Sequence, residues 1–304
     1  MGLGTTRATT AGEHAVNAQL QNYEHIEVRV LSPAAGAEIS GVDLSQPLAP
    51  QVIDDIKRVF LEHLVIFFRD QRLSVEQHKA FGRVFGSLNV HPQYVALDGD
   101  PEIFPVVKEA TDANNIGDIW HSDISFLPEP ALGSMLYAHE VPAEGGDTLF
   151  SNQYLAYEAL SPGLKKQLSK LRALHSDHIL TDPLVAERRN RTRSTKVHPD
   201  AIGKPPIESL HPVVRTHPET GRKGLFVNAA FTRHFEGMTI EESRPLLKYL
   251  YAHSARPEFT CRFRWREGSI AFWDNRCLLH YALNDYPGKR RYMHRVTVNG
   301  DRPS

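Results

Sequence analysis

Apolar residues recur at helical spacing over 47–64, where Val52, Ile53, Ile56, Phe60, Leu61 and Leu64 fall on one side of the chain. The stretch 75–86 repeats the pattern with Phe81, Val84 and Phe85, and Gly86 supplies a stop. Between them the pattern changes. HIEVRVL (25–31) alternates like a strand, and LVIFFRD (64–70) is a short apolar run that fits a buried one. Further strand-like runs follow: EIFPVVKE (102–109), ALGSMLYAHEV (131–141), GDTLFSN (146–152), LRALHSDH (171–178), HPVVRTHP (211–218) and GLFVN (224–228). The last group is FTCRFRWR (259–266), GSIAFWDN (268–275), LLHYAL (278–283) and RRYMHRVTV (290–298). Helices interrupt them at 154–171, broken at Ser161-Pro162, and at 239–253.

Strands and helices do not alternate regularly, which argues against a doubly wound parallel sheet. The pattern predicts a mostly β fold, a sandwich or barrel with helices packed outside. Residues 1–24 form a polar tail expected to be disordered, and 25–304 read as a single domain. The stretch of about 179–210, rich in Arg, Thr, Pro and Lys, reads as irregular and as a candidate mobile lid.

Charge narrows the function classes. Thirty-five basic and 36 acidic residues leave a net charge of −1, which gives no electrostatic case for nucleic acid or an anionic membrane. No run of 18 apolar residues exists to cross a bilayer. The two cysteines, Cys261 and Cys277, lack metal-type spacing and read as buried free thiols in a reducing cytoplasm.

The candidate chemistry centres on WHSDISF (120–126). In extended chain, residues two apart point the same way, so His121 and Asp123 can face one point. His280, on the apolar run LLHYAL, needs a polar partner and can complete the set. Two histidines and one carboxylate with open positions opposite suit non-haem Fe(II). An ordinary polar turn and a core-bonded histidine fit the same three residues. The run RRYMHRVTV places Arg291, Met293 and Arg295 on one face, where two arginines could fork onto two carboxylate-like groups.

Four colinear blocks carry a resemblance: WHSDISF, GGDTLF (145–150), HPVVRTHPETGRKGLFVN (211–228) and WDNRCLLHYALNDYPGKRRYMHRVTVNGDRP (273–303). From about residue 25 to its end the chain resembles the TauD/TfdA family of Fe(II)- and 2-oxoglutarate-dependent dioxygenases. The resemblance implies a double-stranded β-helix (jelly-roll, cupin-like) core. It implies that His121, Asp123 and His280 hold Fe(II), that Arg291 and the Thr148 hydroxyl hold the distal carboxylate of 2-oxoglutarate, and that O₂ is the co-reactant. Succinate and CO₂ would leave as co-products of a substrate hydroxylation.

On the substrate side, Arg295 resembles the family's sulfonate-binding arginine, and His91 and Tyr94 in VHPQY resemble its substrate-side pair. Gly117 stands where taurine dioxygenases carry an asparagine, which implies a larger pocket than taurine needs. The expectation is a small organic anion hydroxylated beside its heteroatom group, a sulfonate or sulfate ester, with aryloxyalkanoates (phenoxy acids) as the alternative. A homo-oligomer, dimer or tetramer, is expected from the family. A zinc hydrolase on the same ligands would lack HExxH and would leave Thr148 with Arg291 unexplained. A catalytically silent metal-binding barrel is the remaining alternative.

Overall fold

A computed structural model describes residues 23–304. The tail expected over 1–24 lies outside the described residues except for Tyr23 and Glu24. Tyr23 is docked, its hydroxyl donating to Glu62 Oε2 at 2.8 Å.

The main sheet has seven strands, in the spatial order Glu27–Val30, Ala37–Ser40, Val65–Phe68, Ile270–Asp274, Gly133–Glu140, Arg291–Val298 and Phe104–Lys108. All pairs are antiparallel except Ala37–Ser40 with Val65–Phe68. A three-stranded sheet, ordered Thr260–Phe263, Thr148–Asn152 and Leu278–Ala282, carries side chains that meet the main sheet's inner face. Phe67, Trp273 and Met293 from the main sheet pack there with Phe150 and Phe263. The Phe67 and Phe263 rings stack with centroids 3.9 Å apart. This two-sheet core is the jelly-roll that the resemblance implies.

The outer face of the main sheet is covered by the helices Pro50–His63 and Val75–Arg83. Phe60 of the first stacks on Phe272 at 4.2 Å. Full burial of each such ring contributes roughly 1.5–3 kcal/mol. The second helix starts cleanly because Ser74 and Gln77 form a reciprocal capping box. Both helices, and the strands Glu27–Val30 and Val65–Phe68, fall where the apolar pattern placed them. In Arg291–Val298, Met293 enters the inner core while Val296 and Val298 enter the outer one. Arg291 and Arg295 therefore share the inner face, as alternation predicts.

Two smaller sheets complete the molecule: Thr232–Phe235, Arg172–Ser176 and Glu208–Pro212 in one, and Lys223–Leu225 with Val214–Thr216 in the other. They share an apolar core with the helix Ile240–Ser254. The segment read as irregular differs from expectation. It holds a short helix His178–Thr181, a ten-residue helix Pro183–Thr192 and a 3₁₀ turn Pro199–Ala201. Asp182 caps the ten-residue helix by accepting from the Val185 amide at 3.0 Å, and Pro183 fits its first turn. That helix buries only Ala186, so it leaves no apolar stripe in the sequence. The chain after it is anchored over Phe104–Lys108. Thr195 Oγ1 accepts from the Val107 amide and donates to the Val107 carbonyl. Arg193 reaches both carboxylate oxygens of Asp118.

Candidate active site

His121 and His280 are backbone partners before they are anything else. The His121 amide donates to the His280 carbonyl at 3.1 Å, and the His280 amide donates back at 2.9 Å. This isolated bridge sets the two imidazoles side by side, with ring centroids 4.0 Å apart. His121 Nδ1 lies 2.7 Å from the Ile119 carbonyl, so it carries the proton and leaves the Nε2 lone pair free. His121 Nε2 and His280 Nε2 each lie 3.8 Å from a different oxygen of Asp123. Those distances exceed hydrogen-bond length, so three donor atoms converge without bonding one another.

Asp123 is fixed from three sides. Ser134 Oγ donates to Oδ2 at 2.7 Å, Arg295 Nη1 donates to Oδ1 at 2.6 Å, and the Asp123 amide donates to Asn275 Oδ1 at 3.1 Å. Asn275 also donates to Ser134 Oγ and accepts from Trp273 Nε1, so one side chain ties these neighbours together. Burial alone would raise the carboxyl pKa. Arg295, then His280 and His121, outweigh it and hold the group ionised well below the usual range. Burial pushes both histidines the other way, below the ordinary imidazole value. A carboxylate with two neutral imidazoles is the donor set that a divalent first-row metal requires.

A cleft opens beside this group, lined by all the expected substrate-side residues: His91, Tyr94, Gly117 and Arg295. His91 Nδ1 accepts from the amides of Gln93 and Tyr94, which leaves Nε2 as the protonated donor. Burial and the charge of Arg295 push its pKa down to about 3, so it serves as a neutral donor. Arg295, expected to hold the substrate anion, has part of its guanidinium already engaged. One of its five N–H donors already goes to Asp123, and its Cζ lies 4.6 Å from the centre of the Phe104 ring. Gly117 has a reason to be glycine beyond pocket volume. Its φ is +85°, and a Cβ there would sit 3.2 Å from His121 Cε1. Arg189, Asp118 and Phe231 line the same cleft and were not among the residues expected there.

Thr148 and Arg291 lie on neighbouring inner surfaces. Trp265 Nε1 donates to Thr148 Oγ1 at 2.9 Å, which leaves the threonine hydroxyl hydrogen available, and Arg291 Cζ lies 5.6 Å from the centre of the Trp265 ring. Arg291 is 3% exposed, and its Nε and Nη2 have no hydrogen-bond partner among the described residues. A buried guanidinium without a partner fits the carboxylate of a small diacid.

Comparison with known proteins agrees with this geometry. Residues 27–297 match the family model described as taurine catabolism dioxygenase TauD, TfdA family. The chain belongs to the TauD/TfdA dioxygenase family. It is 35% identical to an alkylsulfatase of Acinetobacter baylyi, an alignment covering 91% of this chain and 86% of that protein. It is 32% identical to an alpha-ketoglutarate-dependent sulfate ester dioxygenase of Pseudomonas putida, covering 94% and 95%. The crystal structure of a taurine dioxygenase from Burkholderia xenovorans superposes with a TM-score of 0.76 at 36% identity, covering 92% of this chain and 91% of that one. This TauD/TfdA protein is an Fe(II)- and 2-oxoglutarate-dependent dioxygenase, with O₂ as co-reactant. Its His121, Asp123 and His280 fit the metal by donor type and convergence, and the unpartnered Arg291 fits the diacid. Among the described residues, no helix is long and apolar enough to cross a membrane.

Proposed function

We propose that this dioxygenase hydroxylates the carbon bearing the ester oxygen of an alkyl sulfate, or the sulfur-bearing carbon of a sulfonate bulkier than taurine. His121, Asp123 and His280 hold Fe(II), and Arg291 with Thr148 holds the distal carboxylate of 2-oxoglutarate. Together these bound groups supply the oxidation of an unactivated C–H bond, with succinate and CO₂ as co-products. The rest belongs to the chain. Arg295 and the His91 Nε2–H fix the substrate anion beside the triad and aim the neighbouring carbon at it. A hydroxyl placed on a sulfate-bearing carbon makes an unstable adduct. Its C–O bond to sulfate breaks, the hydroxyl proton leaves, and an aldehyde and inorganic sulfate remain.

The observation that carries this reading is the composition of the cleft. Its cations sit beside an apolar wall. The Arg189 side chain lines it with no hydrogen-bond or ion-pair partner among the described residues, while Asp118 is neutralised by Arg193. Ile116, Ile119, Ile179, Leu180 and Phe231 line the remainder, a surface for a hydrocarbon chain rather than an ammonium group. The free buried thiols of Cys261 and Cys277 support a cytoplasmic setting.

The test is sulfate or sulfite release from a chain-length series of alkyl sulfates and sulfonates, with taurine included. Longer sulfates should turn over best, and His91→Ala should raise their KM about tenfold, the loss of one charge-assisted bond. Taurine as the best substrate would refute the pocket reading. Phenol release from aryloxyalkanoates would move the substrate class to the alternative.

A further inference from the structure

The strand Phe104–Lys108 runs beside Arg291–Val298 in a register that sets Lys108 directly opposite Arg291, Val106 opposite Met293 and Phe104 opposite Arg295. Directly opposed residues share a face. Met293 packs between the sheets and Arg295 reaches Asp123, so this is the face that carries the active site. Lys108 is 3% exposed, as buried as Arg291. Its Nζ has no hydrogen-bond partner among the described residues, and it sits 4.6 Å from the centre of the Tyr286 ring. Arg291 has a neighbouring carboxylate in Asp147, whose Oδ2 is committed to Arg262 at 2.6 Å and whose Oδ1 makes no hydrogen bond to Arg291 or to any other described residue.

Like charges opposed across a sheet repel, and a buried cation without a hydrogen-bonded counter-ion recovers only part of its lost hydration from an aromatic face. Two such cations side by side are a poor way to build a core. They are a good way to build an anion site. We infer that Lys108 is a second cationic anchor, beside Arg291, for the carboxylate of 2-oxoglutarate farthest from its keto group. The inference rests on the assignment of Arg291 and Thr148 to that carboxylate.

A carboxylate has two oxygens and about four acceptor sites, more than one arginine fork and one hydroxyl fill. The ammonium of Lys108 is compact and its three donors rotate, so it can take the remaining sites without the planar geometry that Arg291 imposes. Its consequence is selectivity. Lys108 rewards a 2-oxo acid that ends in a charge and is indifferent to one that ends in a methyl group.

The experiment is calorimetric titration of the Fe(II)-loaded enzyme under nitrogen, with 2-oxoglutarate and with 2-oxopentanoate, which has the same chain length and no distal carboxylate. Lys108→Met should weaken 2-oxoglutarate binding by about tenfold or more, leave 2-oxopentanoate within about twofold, and be largely rescued in Lys108→Arg. The ligand-free Lys108→Met protein should melt higher than wild type, because one uncompensated buried charge is gone, yet gain less from added 2-oxoglutarate. Unchanged 2-oxoglutarate affinity in Lys108→Met, with Arg291→Met weakened, would overturn the role of Lys108 alone. Unchanged affinity in both would overturn the underlying carboxylate assignment as well. Equal weakening of both 2-oxo acids would mark Lys108 as structural and also overturn the proposal. Should Lys108→Met fail to fold, Lys108→Gln is read by the same criteria.

Discussion

Ser134 and Asn275 are not among the expected metal ligands, yet both hold Asp123 and decide where its carboxylate points. Removing the Ser134 hydroxyl takes away one of the donors on Asp123 and leaves an Asn275 N–H short of its acceptor. Ser134→Ala should therefore weaken Fe(II) binding about tenfold, the lower end for loss of a ligand's supporting hydrogen bond. It should cost only about 1–2 kcal/mol of stability. Anaerobic metal titration and thermal melting separate the two effects; full iron affinity would show that Arg295 alone positions the carboxylate. Neither residue was legible in the sequence. His121, Asp123 and His280 were, because His-x-Asp is local and His280 stands out as a polar ring on an apolar strand. Arg291 and Arg295 were, because alternation groups them. Ser134, Asn275 and Lys108 matter only through pairings between distant strands, and a serine or lysine in a strand carries no mark of that.

At the scale of elements, the turn between the strands Ile270–Asp274 and Leu278–Ala282 carries the chain into His280. Cys277 packs it into the apolar core, and a network of charged side chains braces it. Arg276 donates through Nε and Nη2 to the two Asp274 oxygens at 2.9 and 2.7 Å, and through Nη1 to Glu219 at 2.6 Å. His217 Nε2 lies 3.0 Å from Asp274 Oδ2, while its Nδ1 accepts from the Glu219 and Thr220 amides. His217, Asp274 and Cys277 lie close enough to suggest a second metal site. The histidine nitrogens and Asp274 oxygens are already committed, so the group reads as an ionic brace. Arg276→Met should cost about 3–5 kcal/mol, because it strands a buried carboxylate. Chemical denaturation checks this, and a loss below about 1 kcal/mol would mean that His217 alone satisfies Asp274. Most strands were readable from alternation and apolar runs. Ala37–Ser40 and Thr232–Phe235 were not, being four residues long and without a clear period. The helix Pro183–Thr192 was missed for the opposite reason, since it is set by a cap and a proline and faces mostly solvent.

For the molecule as a whole, buried neutral histidines set the response to acid. His78 is 1% exposed with neither ring nitrogen partnered, and burial followed by the neighbouring His294 and His139 pushes its pKa down to about 3. His175, hydrogen-bonded to Ser125, is likewise pushed down to about 3 by burial and then by His211. Between about pH 6.5 and 3 the unfolded chain binds these protons and the folded one does not, so stability falls as pH drops through that window and is flat above it. Asp177 works against them. Burial raises it to about 6, so from its ordinary 3.8 up to that value the folded state holds the extra proton, and its contribution declines as pH rises. His91 is pushed down to about 3 in the same way, and His211 and His294 to about 4. With these histidines outweighing one aspartate, the melting temperature should drop between pH 7 and pH 5, and His78→Leu should flatten the drop; a pH-independent melt would contradict both assignments. The paired amides of His121 and His280 have a further consequence. They clasp the middle of the chain to a strand near its end, so the metal's ligands come together only after both halves have folded. Iron therefore recognises the finished molecule alone, and by mass action it acts as a thermometer of completion: at a hundredfold excess over its Kd it should add about 2.7 kcal/mol to the folding free energy. In a melting series against Fe(II) concentration, wild type should climb steadily, while Asp123→Ala should give one temperature at every concentration.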